Sequence, residues 1–227
     1  VRIATQFMTP VMLLSDGYIA NGAEPWVIPD FDTIKPFPVK YHSEVEDFQP
    51  FKRDPKTLAR IWPVPGTPGL EHRIGGIERS QHTGHISYDA DNHEAMTKIR
   101  AQKVQNVAET IPAAAVDQGD AEGDVLVVGW GSTYGSISEA VAKVRQKGKK
   151  VSHLHLRNLW PLPKGLPGVF AKFKRIIVPE LNNGQLVNLL RAQFALPMEG
   201  ISKVQGQPFT IAEVVTAIEA RLPEGAN

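Results

Sequence analysis

Cysteine is absent from the 227 residues, and its absence excludes a disulfide framework, a thiolate nucleophile, a thiolate zinc site and any iron-sulfur cluster held by this chain. If the protein takes part in moving electrons, the clusters sit elsewhere. Charge of one sign is lacking too. With 25 Lys and Arg against 24 Asp and Glu, the formal net charge is +1, and no long run of like charges draws nucleic acid or an anionic membrane. Neither partner is expected. Long hydrophobic runs are also missing: the stretches Pro10 to Leu14 and Val125 to Val128 are far shorter than a bilayer span. The first residues lack the basic-then-apolar order of a signal peptide, so the default location is cytoplasmic. No serine lies in a nucleophile-elbow context and no carboxylate pair has a recognisable catalytic spacing, which argues against a free-standing hydrolase.

What is present is the profile of a globular protein, 42% hydrophobic and able to bury a core without staples. The first residue is Val1 rather than Met, and the opening reads as the middle of something already under way. Val1 to Met8 suggests the tail of a helix. Pro10 to Leu14 is a buried-strand candidate that stops at Ser15-Asp16-Gly17. A lone strand cannot satisfy both of its edges, so its neighbours are expected before Val1 and the chain is expected to be a fragment. From Ala23 to about Gly84, prolines at 25, 29, 36, 38, 50, 55, 63, 65 and 68 leave no periodicity to specify regular structure. A connection of that length normally serves function or wraps a partner; an extended segment ordered by subunit contacts is expected. Asp91-Asn92-His93-Glu94 has capping-box spacing and predicts a helix from about Asn92 to Glu109. Small and acidic residues then mark a linker, with a boundary near Asp120.

Beyond it the pattern alternates. Strands are predicted at Asp124 to Trp130, Val151 to Leu156, Arg175 to Pro179 and Ile201 to Val204. Helices are predicted at Ser136 to Gln146, Lys164 to Phe173, Gly184 to Phe194 and Ile211 to Arg221. Ser136 to Glu139 and Thr210 to Glu213 supply start signals, and Gly148 and Pro223 supply stops. This is an α/β fold with a mainly parallel sheet and helices on both faces.

Two loops at the carboxyl edge of that sheet are the candidate anion or interface sites. Gly129-Trp130-Gly131-Ser132-Thr133-Tyr134-Gly135 joins a strand to a helix, where Gly131, Ser132 and Thr133 could present backbone amides to an anion. The glycine spacing departs from the dinucleotide fingerprint, and a tight structural turn is the plainer alternative. Glu180, Asn182 and Gln185 open the helix after the third strand. There the alternatives are an asparagine cap with a solvated or paired Glu180, or a role at an interface or site rim. Asp16, Gly17 and Asn21 are candidates to line a cofactor cleft, with an ordinary glycine-asparagine turn as the alternative. His82 and His85 lack a third ligand and a fixed frame, so no metal site is expected. His153 and His155 share one face of a strand with Val151 and read as packing residues.

Taken in order, several strings resemble one family. They are Ser15-Asp-Gly-Tyr-Ile-Ala-Asn-Gly-Ala-Glu-Pro-Trp26, His85 through Arg100, Gly129 through Gly135, His153-Leu-His-Leu-Arg157, Leu162-Pro-Lys164, Val178-Pro-Glu-Leu-Asn182, Gly184-Gln-Leu186 and Lys203-Val-Gln-Gly206. Together the chain is similar to the carboxyl-terminal part of the alpha subunit of 2-oxoacid:ferredoxin oxidoreductases, the 2-oxoglutarate type.

The resemblance implies three regions: residues 1–30 as the end of a pyrimidine-type thiamine-binding domain, 31–118 as an extended connection with a helix near 92–109, and 119–227 as an α/β domain like the carboxyl-terminal domain of transketolase. It implies oxidative decarboxylation of a 2-oxoacid to an acyl-CoA, with electrons passed to ferredoxin. Thiamine pyrophosphate, Mg2+ and a [4Fe-4S] cluster would be held mainly by a beta subunit, in an oligomer that meets ferredoxin and CoA, and none would be bound by this chain alone. No catalytic residue carries over onto this sequence, and the implied role is structural and assembly-forming. A stand-alone nucleotide- or CoA-binding module and a dimerisation domain are the alternatives.

Overall fold

Six residues at the start, Arg2–Phe7, close a first helix (α1) that buries Phe7. The apolar stretch after it forms no strand, and Met12 and Leu13 are 83% and 93% exposed. A strand exists only against a partner that takes its amides and carbonyls, and among the described residues nothing pairs with positions 10–14. The structure is a computed structural model and describes residues 1–223; the last four residues of the expected α/β region lie outside that range.

Asp16 caps a short helix, Gly17–Asn21 (α2), by accepting from the Ile19 amide at 3.0 Å. In the proline-rich stretch, regular pairing is confined to a two-residue parallel pair, Tyr41–His42 (β1) with Trp62–Pro63 (β2). Helix Ala90–Asn106 (α3) follows. Its cap is Asp89, not Asp91: the Asp89 carboxylate meets the Asn92 amide at 2.7 Å, so the helix starts two residues ahead of the predicted box.

The remaining elements alternate: Gly123–Trp130 (β3), Tyr134–Gln146 (α4), Val151–Leu156 (β4), Leu166–Phe170 (α5), Phe173–Glu180 (β5), Gln185–Phe194 (α6), Met198–Ser202 (β6) and Ile211–Glu219 (α7). The last strand falls three residues before the predicted one, because the ladder to β5 pairs Ile176 with Met198 and Glu180 with Ser202. Ser136 is not a cap. The helix begins at Tyr134 out of a 3-10 turn over Gly131–Thr133, and the Ser136 hydroxyl donates to the Phe209 carbonyl at 2.7 Å. Thr210 and Glu213 form the expected capping box.

Two compact units result, residues 1–12 with 25–111, and residues 13–24 with 112–223. The first has a small core of Phe7, Phe51, Ala59, Leu70, Met96 and Val107. The second is a four-stranded sheet, entirely parallel, in the order β4-β3-β5-β6. Strand alternation sends Val125 and Val127 to one face, against α4 and α7 through Ile137, Val141, Val144, Val214 and Ile218. Leu126 and Val128 face the other way, toward α5 and α6 through Leu166, Phe170, Leu186 and Leu190. Burial on both faces is why these strands read as continuous apolar runs.

Candidate functional site

The sheet order reverses between β3 and β5: β4 lies on one side of β3, and β5 and β6 on the other. In open parallel sheets the loops leaving two such strands flank a crevice at the carboxyl edge, the usual ligand position. The two loops singled out in the sequence, after Trp130 and after Glu180, are those loops.

The first turn is built from within. Gly129 lies against the α4 face, where an added Cβ would stand 2.6 Å from Ile137 Cδ1 and 3.2 Å from His153 Nε2. Gly131 adopts φ +58°, a left-handed conformation that favours glycine. Thr133 is buried, and its hydroxyl donates to the Trp130 carbonyl at 2.8 Å while accepting from the Trp130 amide at 3.2 Å. It staples the turn and faces inward. The Ser132 hydroxyl donates to the carboxylate of Asp16. That hydrogen bond, followed by the Ile19 amide, holds the Asp16 carboxyl below its usual range. An internal carboxylate therefore already engages the Ser132 hydroxyl of this turn.

The second loop is saturated in the same way. Glu180 is fully buried, and its two carboxylate oxygens accept from the Leu186 amide at 2.8 Å and the Val187 amide at 2.9 Å. Asn182 Oδ1 takes the Gly184 and Gln185 amides at 2.8 and 2.9 Å. Four amides at the start of α6, the groups an anion would seek at a helix N-terminus, have partners inside the chain. The Gln185 side chain is left exposed. Thus Asp16 and Ser132 are brought together, whereas Gly17 and Asn21 remain on exposed α2, where the Asn21 amide donates to the Gly17 carbonyl at 2.8 Å. The Asp16 carboxylate is engaged by the Ile19 amide and the Ser132 hydroxyl, and the Asn21 amide nitrogen by its own helix.

His153 and His155 occupy one face of β4, as expected from their alternation, with the Tyr134 ring 5.3 Å from the first and 4.9 Å from the second. His153 is completely enclosed, and neither ring nitrogen has a hydrogen-bond partner among the described residues. Burial, reinforced by His155, pushes its pKa down to about 4, so the ring is neutral at physiological pH. His82 and His85 are exposed, and among the described residues no group of three His, Cys, Asp or Glu is placed to hold a metal. No helix there is long and apolar enough to cross a membrane.

Sequence reasoning passed over one feature entirely. In the first unit, a cavity of about 700 Å³ opens among residues 48–86, with Arg73, Arg79, His72 and His85 in its lining. It falls in the stretch without periodicity, where no spacing could place those side chains together.

Comparison with known proteins gives a consistent set of relatives. The profile of the family described as pyruvate:ferredoxin oxidoreductase core domain II matches residues 123–214. Over 222 residues the chain is 44% identical to 2-oxoglutarate oxidoreductase subunit KorA of Mycobacterium tuberculosis, covering 98% of this chain and 34% of that protein. Over 226 residues it is 30% identical to subunit alpha of 2-oxoacid:ferredoxin oxidoreductase 1 of Aeropyrum pernix, covering 96% and 35%. The structure is similar to that of a 2-oxoglutarate:ferredoxin oxidoreductase from Magnetococcus marinus with 2-oxoglutarate, coenzyme A and succinyl-CoA bound, with a TM-score of 0.78 and 27% identity over 86% of this chain and 34% of that one. The chain spans about a third of the length of these relatives.

Proposed function

This chain belongs to the 2-oxoacid:ferredoxin oxidoreductase alpha-subunit family as a homologue of about a third of such a subunit, and on that footing we propose that it is a structural, assembly-forming portion of one. The complete enzyme would oxidatively decarboxylate a 2-oxoacid to an acyl-CoA and pass the electrons to ferredoxin. 2-Oxoglutarate is the substrate we favour, supported by the 44% identical 2-oxoglutarate oxidoreductase subunit and by the ligands of the similar structure. Thiamine pyrophosphate, Mg2+ and a [4Fe-4S] cluster would be held mainly by a beta subunit, in a cytoplasmic complex; the lack of cysteine is in keeping with a cluster carried elsewhere. The domain assignment is part of the same reading: 1–30 ending a thiamine-binding domain, 31–118 connecting, 119–227 forming the α/β domain.

One observation carries the assembly role. At the reversal of the sheet the four amides that open α6 are satisfied by Glu180 and Asn182, and the Ser132 hydroxyl by Asp16, all of the same chain. The engagement of Ser132 by Asp16 also weighs against a free-standing nucleotide- or CoA-binding module built on the Gly131 to Thr133 turn. The test is calorimetry of the 227-residue chain with thiamine pyrophosphate and with coenzyme A, alongside affinity capture of the tagged chain coexpressed with the beta subunit. Absence of ligand binding together with recovery of the beta subunit is the expected result. Tight binding of either ligand by this chain alone would sink the reading.

A further inference from the structure

The first unit has a feature that the assembly role leaves unused. Arg79 is only 8% exposed, yet it makes no ion pair among the described residues. One guanidinium nitrogen, Nη2, donates to the Gly75 carbonyl, and its Nε has no partner. An enclosed guanidinium without a carboxylate is unusual, because a buried charge is normally paired. Arg79 lines the cavity of about 700 Å³, together with Arg73, His72, Thr83 and His85. Its acidic lining residue, Glu71, is held to the Gly69 amide at 2.8 Å.

Further cations stand behind the cavity wall. Pro50 and Gly84 belong to that wall, and a Cβ at Gly84 would meet the Phe51 ring at 2.6 Å, so Phe51 backs it directly. The Arg60 guanidinium sits 4.7 Å and that of Arg53 5.8 Å from the centroid of this ring. Arg60 donates to the Pro50 carbonyl at 3.2 Å, and Arg53 to the Phe51 and Gln81 carbonyls at 3.1 and 2.7 Å. Burial lowers the pKa of both, and the Arg60 charge adds to the effect on Arg53. Two further guanidiniums therefore flank the Phe51 ring next to this wall.

We propose that this cavity binds a small organic anion, with its phosphate or carboxylate group on Arg79 and Arg73 and its apolar body against Phe48, Pro50 and Ile86. The guanidinium fork matches both kinds of oxyanion, which are the chemistry it pairs with most strongly. His72 is already oriented, its Nδ1–H donating to the Leu70 carbonyl at 2.7 Å and its ring edge-on to Phe48, so it serves as part of the wall. The volume is that of a small-molecule site rather than of a single-ion niche.

The test uses the 227-residue chain and two probes, phenyl phosphate and benzoate, titrated by calorimetry. Saturable binding of at least one probe with a dissociation constant below about 1 mM is expected, weakened about tenfold or more by Arg79→Gln. The stronger probe tells phosphate from carboxylate. Arg145→Gln, at an ion pair in the other unit, should leave the affinity unchanged. Because Arg79 is enclosed, its variant could fail to fold; circular dichroism would show this, and exposed Arg73→Gln then decides. Failure of both probes to bind, affinity unaffected by Arg73→Gln and Arg79→Gln, or an equal loss in Arg145→Gln would each overturn the proposal.

Discussion

Among the described residues of the parallel-sheet unit two titratable side chains, Glu180 and His153, are fully enclosed, and they meet burial in opposite ways. Glu180 has its carboxylate met by two backbone amides, whereas the ring of His153 is surrounded by apolar and aromatic neighbours and remains neutral. Glu180→Ala would leave the Leu186 and Val187 amides buried without an acceptor, so a loss of about 3 kcal/mol is expected in urea unfolding. For His153 the sign follows from proton uptake. The unfolded ring takes a proton near 6.5 and the folded one only near 4, so stability is complete above pH 6.5 and falls as pH drops from 6.5 to about 4. Over that window the loss should be on the order of 3 kcal/mol. His153→Phe should flatten the urea midpoint across it; an unchanged slope would remove His153 as the cause. Alternation along β4 sufficed to place both histidines on one face. The partners of Glu180 were not legible, because a carboxylate before a helix looks the same in sequence whether it turns to solvent or folds back onto the first turn.

At the scale of the element, legibility tracked how local the deciding interaction is. Helix α7 starts where its box says, since Thr210 and Glu213 cap each other within one turn. The Lys203 ammonium, aided by the Thr210 amide and hydroxyl, holds the Glu213 carboxyl down to about 2, so the box keeps its charge through mildly acidic conditions. Thr210→Ala should lower the unfolding free energy by about 1 kcal/mol, read from the urea midpoint. Elsewhere the deciding contact is remote. Ser136 resembles a cap but reaches Phe209, and β6 is positioned by its ladder to β5 and not by its most apolar residues. Gly129→Ala is expected to cost about 1–3 kcal/mol, since its Cβ would overlap the buried Ile137 side chain beneath the turn. An urea midpoint equal to that of the unsubstituted chain would show that α4 can give way.

Across the whole molecule the two units differed in how far they could be read. Alternating strands and amphipathic helices announced the α/β unit, whereas the first unit is held by turns, a small core and side-chain contacts that leave no period. Large apolar side chains are exposed at intervals from Val11 to Ile34, among them Leu14, Tyr18, Trp26, Ile28 and Phe31, and side chains of this size left in solvent are candidates for burial against a partner. Backbone amides of residues 10–34 are expected to exchange hydrogen more slowly once the beta subunit is bound; unchanged rates in the complex would exclude these residues from the interface. The stretch from Pro112 to Glu122 presents the opposite case. Its small and acidic composition suggests a loose tether, yet it runs along the outer edge of β4. Asp117 and Gln118 exchange backbone hydrogen bonds with His153, the Asp117 carboxylate takes the His155 amide at 2.6 Å, and Asp120 is bonded to Ser152 and Arg145. A protease needs an extended, unpaired substrate backbone, so cleavage here should be slow despite the exposed position, and limited digestion of the chain should leave this stretch attached to the sheet.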